Sequence, residues 1–440
     1  MTTTTSTTTL PANDADAPPP LSREDLRFNF AACVVDAIGW PLGIAFFSPI
    51  TVLPLFLRHL NASNATVGAL GALMNLLIFL PGLLVVGHLG RLPRARNYLF
   101  VVALIERFAL LPLVWLTPLW GVSHPDWLIA ALFAVVTVHA GAMGLNQPAY
   151  WIVVGKTVPP RWRGRLFGYA GGAAGLLGFG TEWLLRHQVL GGPNGGFPDG
   201  FARGFLLSFL ILTLSVLPLG LVREPAGVPA TKPSPKGKKG RLWHDARAVW
   251  RTNAGFRRFL IAQVVFTLAA VATPFFVLYA RRHLQAGAGD VAAYTAALIF
   301  AAAFGNLGWG ALADRLGNRA VLVAACACAQ GSAVLALTAS TTGVFLLVFV
   351  TSALATAGVG LAGNNIVLEY AGATPDAANI ALYTVLYNTV TALPRALAPL
   401  AGGLIADSLG YRPLFFLALA LAAVSLVLTL RVHEPRHASG

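Results

Sequence analysis

The stretch AALIFAAAFGNLGWGALADRLGNRAVLVAACACA, residues 296–329, sets two long apolar runs around Ala313-Asp314-Arg315-Leu316-Gly317-Asn318-Arg319. In a soluble chain the runs would be buried core helices and the charged wedge a surface turn. If the runs cross a bilayer, the wedge is a loop on one side of it. Composition decides between the two. Of 440 residues, 56% are hydrophobic and only 11% charged, with a mean hydropathy of +0.69. Soluble domains carry about 25% charged residues, and a globule so poor in charge could not cover its surface. Apolar segments of about 20 residues recur throughout, the length a helix needs to cross about 30 Å of hydrocarbon. The chain reads as an all-α, polytopic membrane protein.

Hydropathy places spans near 29–57, 65–89, 97–119, 126–154, 165–187 and 202–222, and a second set near 256–280, 290–313, 320–340, 343–370, 378–407 and 411–431. That makes twelve transmembrane helices in two six-helix bundles, 29–222 and 256–431, joined by a linker over 223–255 rich in Pro, Gly and Lys. Its later part, Trp243 to Trp250, reads as amphipathic and basic. Residues 1–28, rich in Thr and Pro, read as a disordered tail without the charged start and apolar core of a signal peptide. Residues 432–440 form a short tail at the other end.

Lys and Arg set the orientation. With the N-terminus inside, 23 fall on the inner side against six outside, namely Arg58, Arg186, Arg203, Arg281, Arg282 and Arg412. Such a bias is the positive-inside pattern and puts both termini in the cytoplasm, in a bacterial-type inner (plasma) membrane. It also accounts for the net charge of +14 without a nucleic-acid partner. Of the three cysteines, Cys33 lies in the first span, and Cys326 and Cys328 lie on different faces of the ninth, so neither a disulfide framework nor a metal site is implied. The two halves echo each other: the sixth span ends at Glu224-Pro225 and the twelfth at Glu434-Pro435.

Gly310-Ala311-Leu312-Ala313-Asp314-Arg315-Leu316-Gly317-Asn318-Arg319 resembles the loop signature of the major facilitator superfamily, roughly Gly-x-Leu-Ala-Asp-Arg-x-Gly-Arg-Lys. The corresponding first-half loop, VGHLGRLPRAR, keeps Arg91, Arg94 and Arg96 but has Gly90 where the acid belongs. GGLIADSLGYRPLF, at the end of span eleven, is also common in that superfamily. The resemblance covers essentially the whole chain and is specific for fold rather than substrate. It implies alternating access between the two bundles. In such a fold Asp314 and Arg315 would approach Arg163 and Arg165, at the start of span five, when the cytoplasmic side is closed. A carboxylate there can accept bonds from free helix-start N–H groups and so latch one state. The bland alternative is that Asp314 caps its own loop.

Three intramembrane constellations are candidates for function. Asp36 lies about two turns inside span one, where a charge costs about 2.5–3.5 kcal/mol on insertion scales. Desolvation penalises the charged carboxylate, so this acid can load a proton, and resembling proton-driven exporters carry an acid in that span. A structural hydrogen bond to a neighbouring helix is the alternative. Glu106-Arg107, in span three, point about 100° apart, so each is expected to need another partner in a buried network, with Asp36–Arg107 as one pairing. Asn146, Gln147, Tyr150, Glu182, Asn364, Asn365, Glu369, Asn388 and Arg395 are polar groups at membrane depth that can line a substrate cavity or simply glue helices. Of these, Glu182 and Arg395 are the sharper candidates, and Arg395 would favour an anionic or hydrogen-bond-accepting group.

YWIVVGKT ends like a phosphate-cradling loop, but glycine would be needed at Tyr150. The sequence lacks zincin and nucleophile-elbow motifs, and no enzyme activity or cofactor is expected. The expected function is a secondary active transporter of a small organic solute, monomeric in the bilayer, coupled to protons or another ion and acting as an exporter. An uptake permease of the same fold, or a non-transporting receptor or assembly protein, are the alternatives.

Overall fold

The computed structural model describes residues 21–89, 92–191, 195–225, 247–371 and 377–434. The N-terminal tail to residue 20, Gly90 and Arg91 of the first-half loop, most of the linker and the last six residues fall outside these.

Twelve helical passes follow one another. The first runs over Arg23–Ala45 and Val52–His59, the second over Asn64–Leu89, the third over Ala95–Phe108 and Leu111–Trp120, and the fourth over Pro125–Thr157. Pro160–Leu184 with Leu185–Leu190, then Asp199–Gly220, complete the first bundle. The second bundle comprises Ala254–Ala269 continuing to His283, then Ala288–Leu316, Asn318–Thr338, Thr342–Ala371, Ala377–Ser408 and Tyr411–Leu430. Among the described residues, eleven passes are long and apolar enough to span a membrane. The fifth, Pro160–Leu184, is not, because Arg161, Arg163, Arg165, Glu182 and many glycines dilute it.

The expected spans are all found, but four are interrupted. Pro49, which has no N–H to donate, stands between the two pieces of the first, and the Ser48 hydroxyl takes the N–H groups of Ile50 and Thr51. The third breaks after Phe108 ahead of Pro112. The seventh tightens to a 3-10 turn over Ala270–Phe275, which holds Pro274, and the fifth widens to a π turn over Leu185–Leu190. The first helix also starts at Arg23, inside the tail expected over 1–28. A capping box between Ser22 and Asp25 fixes that start, and Asp25 pairs with Arg223. The basic segment expected before the second bundle is helical at residues 247–252.

Packing repeats with a shift of six passes. First against sixth, second against fourth, and third against fourth and sixth recur as seventh against twelfth, eighth against tenth, and ninth against tenth and twelfth. Between bundles, second against eleventh is matched by eighth against fifth. The Glu-Pro echo has a structural meaning within this repeat. Glu224 accepts the N–H groups of Ala95 and Arg96 at 3.1 and 2.7 Å, capping the third pass, and is paired with Lys156 at 2.9 Å. Glu434 accepts the Arg319 N–H at 2.8 Å and caps the ninth. Neither pass has a side-chain cap of its own. Large exposed apolar residues such as Trp115, Phe179, Leu214, Leu347 and Val427 mark the surface meant for lipid.

Two faces follow: the terminal face, with the ends at Arg23 and Glu434, and the far face opposite. On the far side one hydrophobic cluster runs through both bundles, from Phe46 and Phe56 to Phe345 and Phe415. Toward the terminal face each bundle has a separate cluster. The bundles are thus fused at one end and independent at the other.

Glu224→Ala is expected to lower thermal stability, because charge-assisted bonds contribute about 1.5–3 kcal/mol and the helix start would be left unpaired. Glu434→Ala, with one backbone partner, should cost less. Thermal unfolding in detergent reads both, and unchanged midpoints for the two variants would show that the caps carry no stability.

Candidate functional site

The first bundle holds a buried polar cluster at membrane depth. Asp36, Glu106, Arg107 and His139 are 7%, 1%, 2% and 0% exposed. The Arg107 guanidinium is 2.9 Å from Glu106 and 4.0 Å from Asp36. It also donates to the carbonyls of Ala103 and Leu212 and lies 5.7 Å from the centre of the Trp40 ring. Adjacent Glu106 and Arg107 therefore do pair, contrary to the expectation from their 100° separation. Both side chains are long enough to fold back along the helix, and the helix ends one residue later at Phe108. The Asp36–Arg107 pairing is present at the outer limit of an ion pair.

The rest of the cluster supplies acceptors. The Asn146 amide donates to Glu106 at 3.4 Å, and His139 Nδ1 meets the Glu106 carbonyl at 2.9 Å, so Nδ1 carries a proton and, in the neutral imidazole, Nε2 a lone pair. Four buried atoms have no hydrogen-bond partner: Asp36 Oδ1, Glu106 Oε1, His139 Nε2 and Asn146 Oδ1. All four are acceptors. Two carboxylates share one guanidinium, so the cluster has one negative charge to spare and is short of hydrogens. Buried charge of this kind is costly unless matched.

Tyr150 stands near Asp36, within reach of its charge, and packs beside the Trp151 ring with 5.5 Å between centres. The other expected site residues scatter. Half-buried Glu182, on the fifth pass, has no side-chain partner among the described residues and forms no ion pair with Arg395. Asn364 is exposed. Asn365 donates to Asn318 at 3.1 Å, and Asn318 donates to Glu369 at 2.7 Å, so this set joins the ninth and tenth passes rather than facing the other bundle. Arg395 is half-buried at the seam between bundles, 4.4 Å from the centre of the Phe79 ring on the second pass.

Among the described residues, every hydrogen bond between the bundles lies at the far face. Asp407, at the end of the eleventh pass, accepts the N–H groups of Asn64 and Ala65 at 3.0 and 2.7 Å and the Asn64 amide at 2.8 Å. These are the first backbone donors of the second pass. Tyr411 donates to Asn64 at 3.0 Å, and Thr295 donates to Thr51 at 2.8 Å. At the terminal face Asp314 and Arg165 are exposed and no ion pair joins Asp314 or Arg315 to the fifth pass; Arg163 turns to the carbonyls of Gly155 and Val158. The expected latch is therefore not made in this conformation, which is closed at the other end.

The reason is visible in two copies of one heptapeptide. Ala313-Asp314-Arg315-Leu316-Gly317-Asn318-Arg319 and Ala406-Asp407-Ser408-Leu409-Gly410-Tyr411-Arg412 share Ala-Asp-x-Leu-Gly-x-Arg. Each turns one helix into the next through a glycine in the left-handed region, φ +86° at Gly317 and +87° at Gly410. A side chain at either glycine would be strained. The copies lie at opposite faces, and the far-face copy is the one engaged.

Comparison with known proteins fits this architecture. Residues 258–440 match the family model described as Major Facilitator Superfamily. A mutant of the nucleoside transporter NupG aligns over 92% of this chain and 98% of its own, at 13% identity and a TM-score of 0.65. A bacterial homolog to the human lysosomal transporter Spinster, inward-facing and unoccupied, aligns over 94% and 98% at 13% identity and 0.65. The xylose transporter XylE from E. coli, partially occluded and inward open, aligns over 94% and 99% at 13% identity and 0.62. The chain has the fold of a major facilitator superfamily transporter. No curated protein matches the sequence. At these identities the structural likeness shows the fold alone.

The residues missed by sequence reasoning are His139 and Asp407. His139, a lone histidine within an apolar span, carried the same signal as Asp36. Asp407 was readable as the second copy of the heptapeptide.

Asp407→Ala should open the far face. Loss of its three bonds across the seam, even at about 1 kcal/mol in total, would shift a two-state balance about fivefold. A cysteine at Asn75, in a background without native cysteines, should label faster with an impermeant maleimide from the far side. An unchanged rate in a folded variant would mean that the apolar cluster alone holds the closure.

Proposed function

We propose that this chain is a proton-coupled secondary transporter that moves a small organic solute by alternating access, with export as its direction and the terminal face in the cytoplasm of a plasma (inner) membrane. The buried cluster carries this reading: two carboxylates share one guanidinium, each carboxylate has an oxygen without a hydrogen-bond partner, and His139 and Asn146 add one unpartnered atom each. One proton would neutralise the spare charge and supply a missing donor. Asp36 is the coupling acid in this scheme, with Glu106 and Arg107 setting its field. Lys and Arg crowd the terminal side, which supports its placement in the cytoplasm. In the conformation described, that side is where the bundles part, and the solute would enter there. In the alternate state Asp314 and Arg315 would meet Arg163 and Arg165, as Asp407 meets Asn64 here. Export is the direction implied by the resemblance to proton-driven exporters with an acid in the first span.

Inside-out vesicles with an acid lumen, offered a panel of small organic acids, amines and neutral solutes, test the proposal. Wild type should concentrate at least one solute in the lumen. Asp36→Asn should lose gradient-driven accumulation while keeping solute exchange at equal pH. An Asn variant that still concentrates solute would remove Asp36 from coupling, and accumulation only in right-side-out vesicles would make the protein an uptake permease.

A further inference from the structure

The second bundle has its own uncompensated charge at membrane depth. Arg395 lies about 20 Å along the helix from its far end at Ser408, at 1.5 Å per residue. Arg107 has two carboxylates beside it, but no carboxylate comes within 4.0 Å of Arg395 among the described residues. Its neighbours are aromatic: the Phe79 ring centre at 4.4 Å from the opposite bundle and the Tyr387 ring centre at 5.8 Å from its own helix. Its one hydrogen bond, 3.4 Å to the Tyr387 hydroxyl, is long.

Two further polar groups stand close by without full partners. Tyr387 is 4% exposed, and its hydroxyl proton has no acceptor among the described residues. Gln263 is 3% exposed, and its side-chain amide makes no hydrogen bond among them. They meet around Gly363 of the tenth pass: a Cβ added there would stand 3.1 Å from the Tyr387 oxygen and 4.0 Å from the Gln263 nitrogen. The bare glycine lets the amide and the phenol come close to the tenth pass, with the guanidinium one hydrogen bond away. Together they put a guanidinium, a phenol and an amide within reach of one another, each with hydrogens to donate and with no carboxylate in an ion pair with the guanidinium among the described residues.

We propose that Arg395, Tyr387 and Gln263 form the recognition site for a carboxylate, and that the transported solute is a small organic monocarboxylate; this rests on the transporter reading above. One cation without a counter-charge fits a single negative charge better than a phosphate or a dicarboxylate. The planar fork of arginine matches the two oxygens of a carboxylate, and the stack on Phe79 holds the fork's plane while leaving its edge free. The phenol and the amide supply the remaining donors. Donors gather in the second bundle and acceptors in the first, so solute and proton load on opposite sides of the seam and do not compete for one group.

Binding to purified wild type is measured by thermal stabilisation and by titration, using acetate, benzoate, phenylacetate and other small monocarboxylates, each beside its amide and its amine. Carboxylates should bind and their amides and amines should not. Arg395→Gln should weaken carboxylate binding at least about tenfold, the loss of one charge-assisted pair. Arg395→Lys should recover part of it, and Tyr387→Phe should weaken it less. Gly363→Ala keeps every polar group and should weaken binding by pushing the Tyr387 hydroxyl out of place. The proposal is overturned if no carboxylate binds wild type, if amides or amines bind as well, or if Gly363→Ala and Tyr387→Phe both bind as wild type does. Carboxylate binding without flux in proteoliposomes would sink the transporter reading and leave the site standing. Flux confined to amines or neutral solutes would do the reverse.

Discussion

A helix that begins at the edge of a bilayer leaves its first N–H groups without partners, and in this protein three carboxylates from other helices take them. Glu224 takes those of the third pass, Glu434 one of the ninth and Asp407 those of the second. Orphan donors of this kind must be met by something, and a carboxylate also gains from the partial positive charge of the helix start. The three bonds are chemically alike, yet they do different things. Glu224 and Glu434 tie helices of one bundle together and so make each half a rigid body. Asp407 ties the two bodies to each other, and only at one end. A bond within a bundle persists through any motion between bundles, whereas a bond across the seam exists in one conformation alone.

Charge at membrane depth is divided in the same way. The first bundle has two acids and one base in its buried cluster, with every unpartnered atom there an acceptor. The second has one base with only aromatic and donor groups beside it. An intramembrane charge that nothing balances would be selected against on stability alone, so its presence calls for a partner that comes and goes. A mobile cation and a mobile anion are the two partners this distribution asks for.

The sequence was a good guide to where helices lie and a poor one to how they turn. Eleven passes meet the apolar window set by membrane thickness and stand where hydropathy put them; the fifth stands where it was expected although charge and glycine dilute it below that window. The breaks near Pro49 and Pro112 and at Pro274 were averaged away by the same window. Rotational phase was lost altogether: Asn364 and Asn365 looked equivalent, but one is exposed and the other bonds to Asn318. The repeated Glu-Pro pair was visible and its capping role was not, since the two partners are more than a hundred residues away in sequence. Glu106 and Arg107 were placed correctly in a buried network and wrongly kept apart, because a helical wheel fixes Cβ directions and not the reach of long side chains.

The heptapeptide shows most clearly what sequence alone leaves open. Both copies encode the same object: a helix end, a left-handed glycine, a helix start and an acid one turn before it. Whether such an acid reaches across the seam depends on which face is closed, and that is a property of the whole assembly. With the far face closed, Asp407 finds Asn64 and Ala65, while Asp314 is exposed and forms no ion pair among the described residues. In the proposed alternating-access cycle the bundles rock about a seam between the faces, so bringing Asp314 toward the fifth pass draws Asp407 away from the second. Two identical turns at opposite faces can then hold two states with bonds of similar strength. The energy gap between those states stays small, which lets the loading of a single proton or a single anion decide which state prevails.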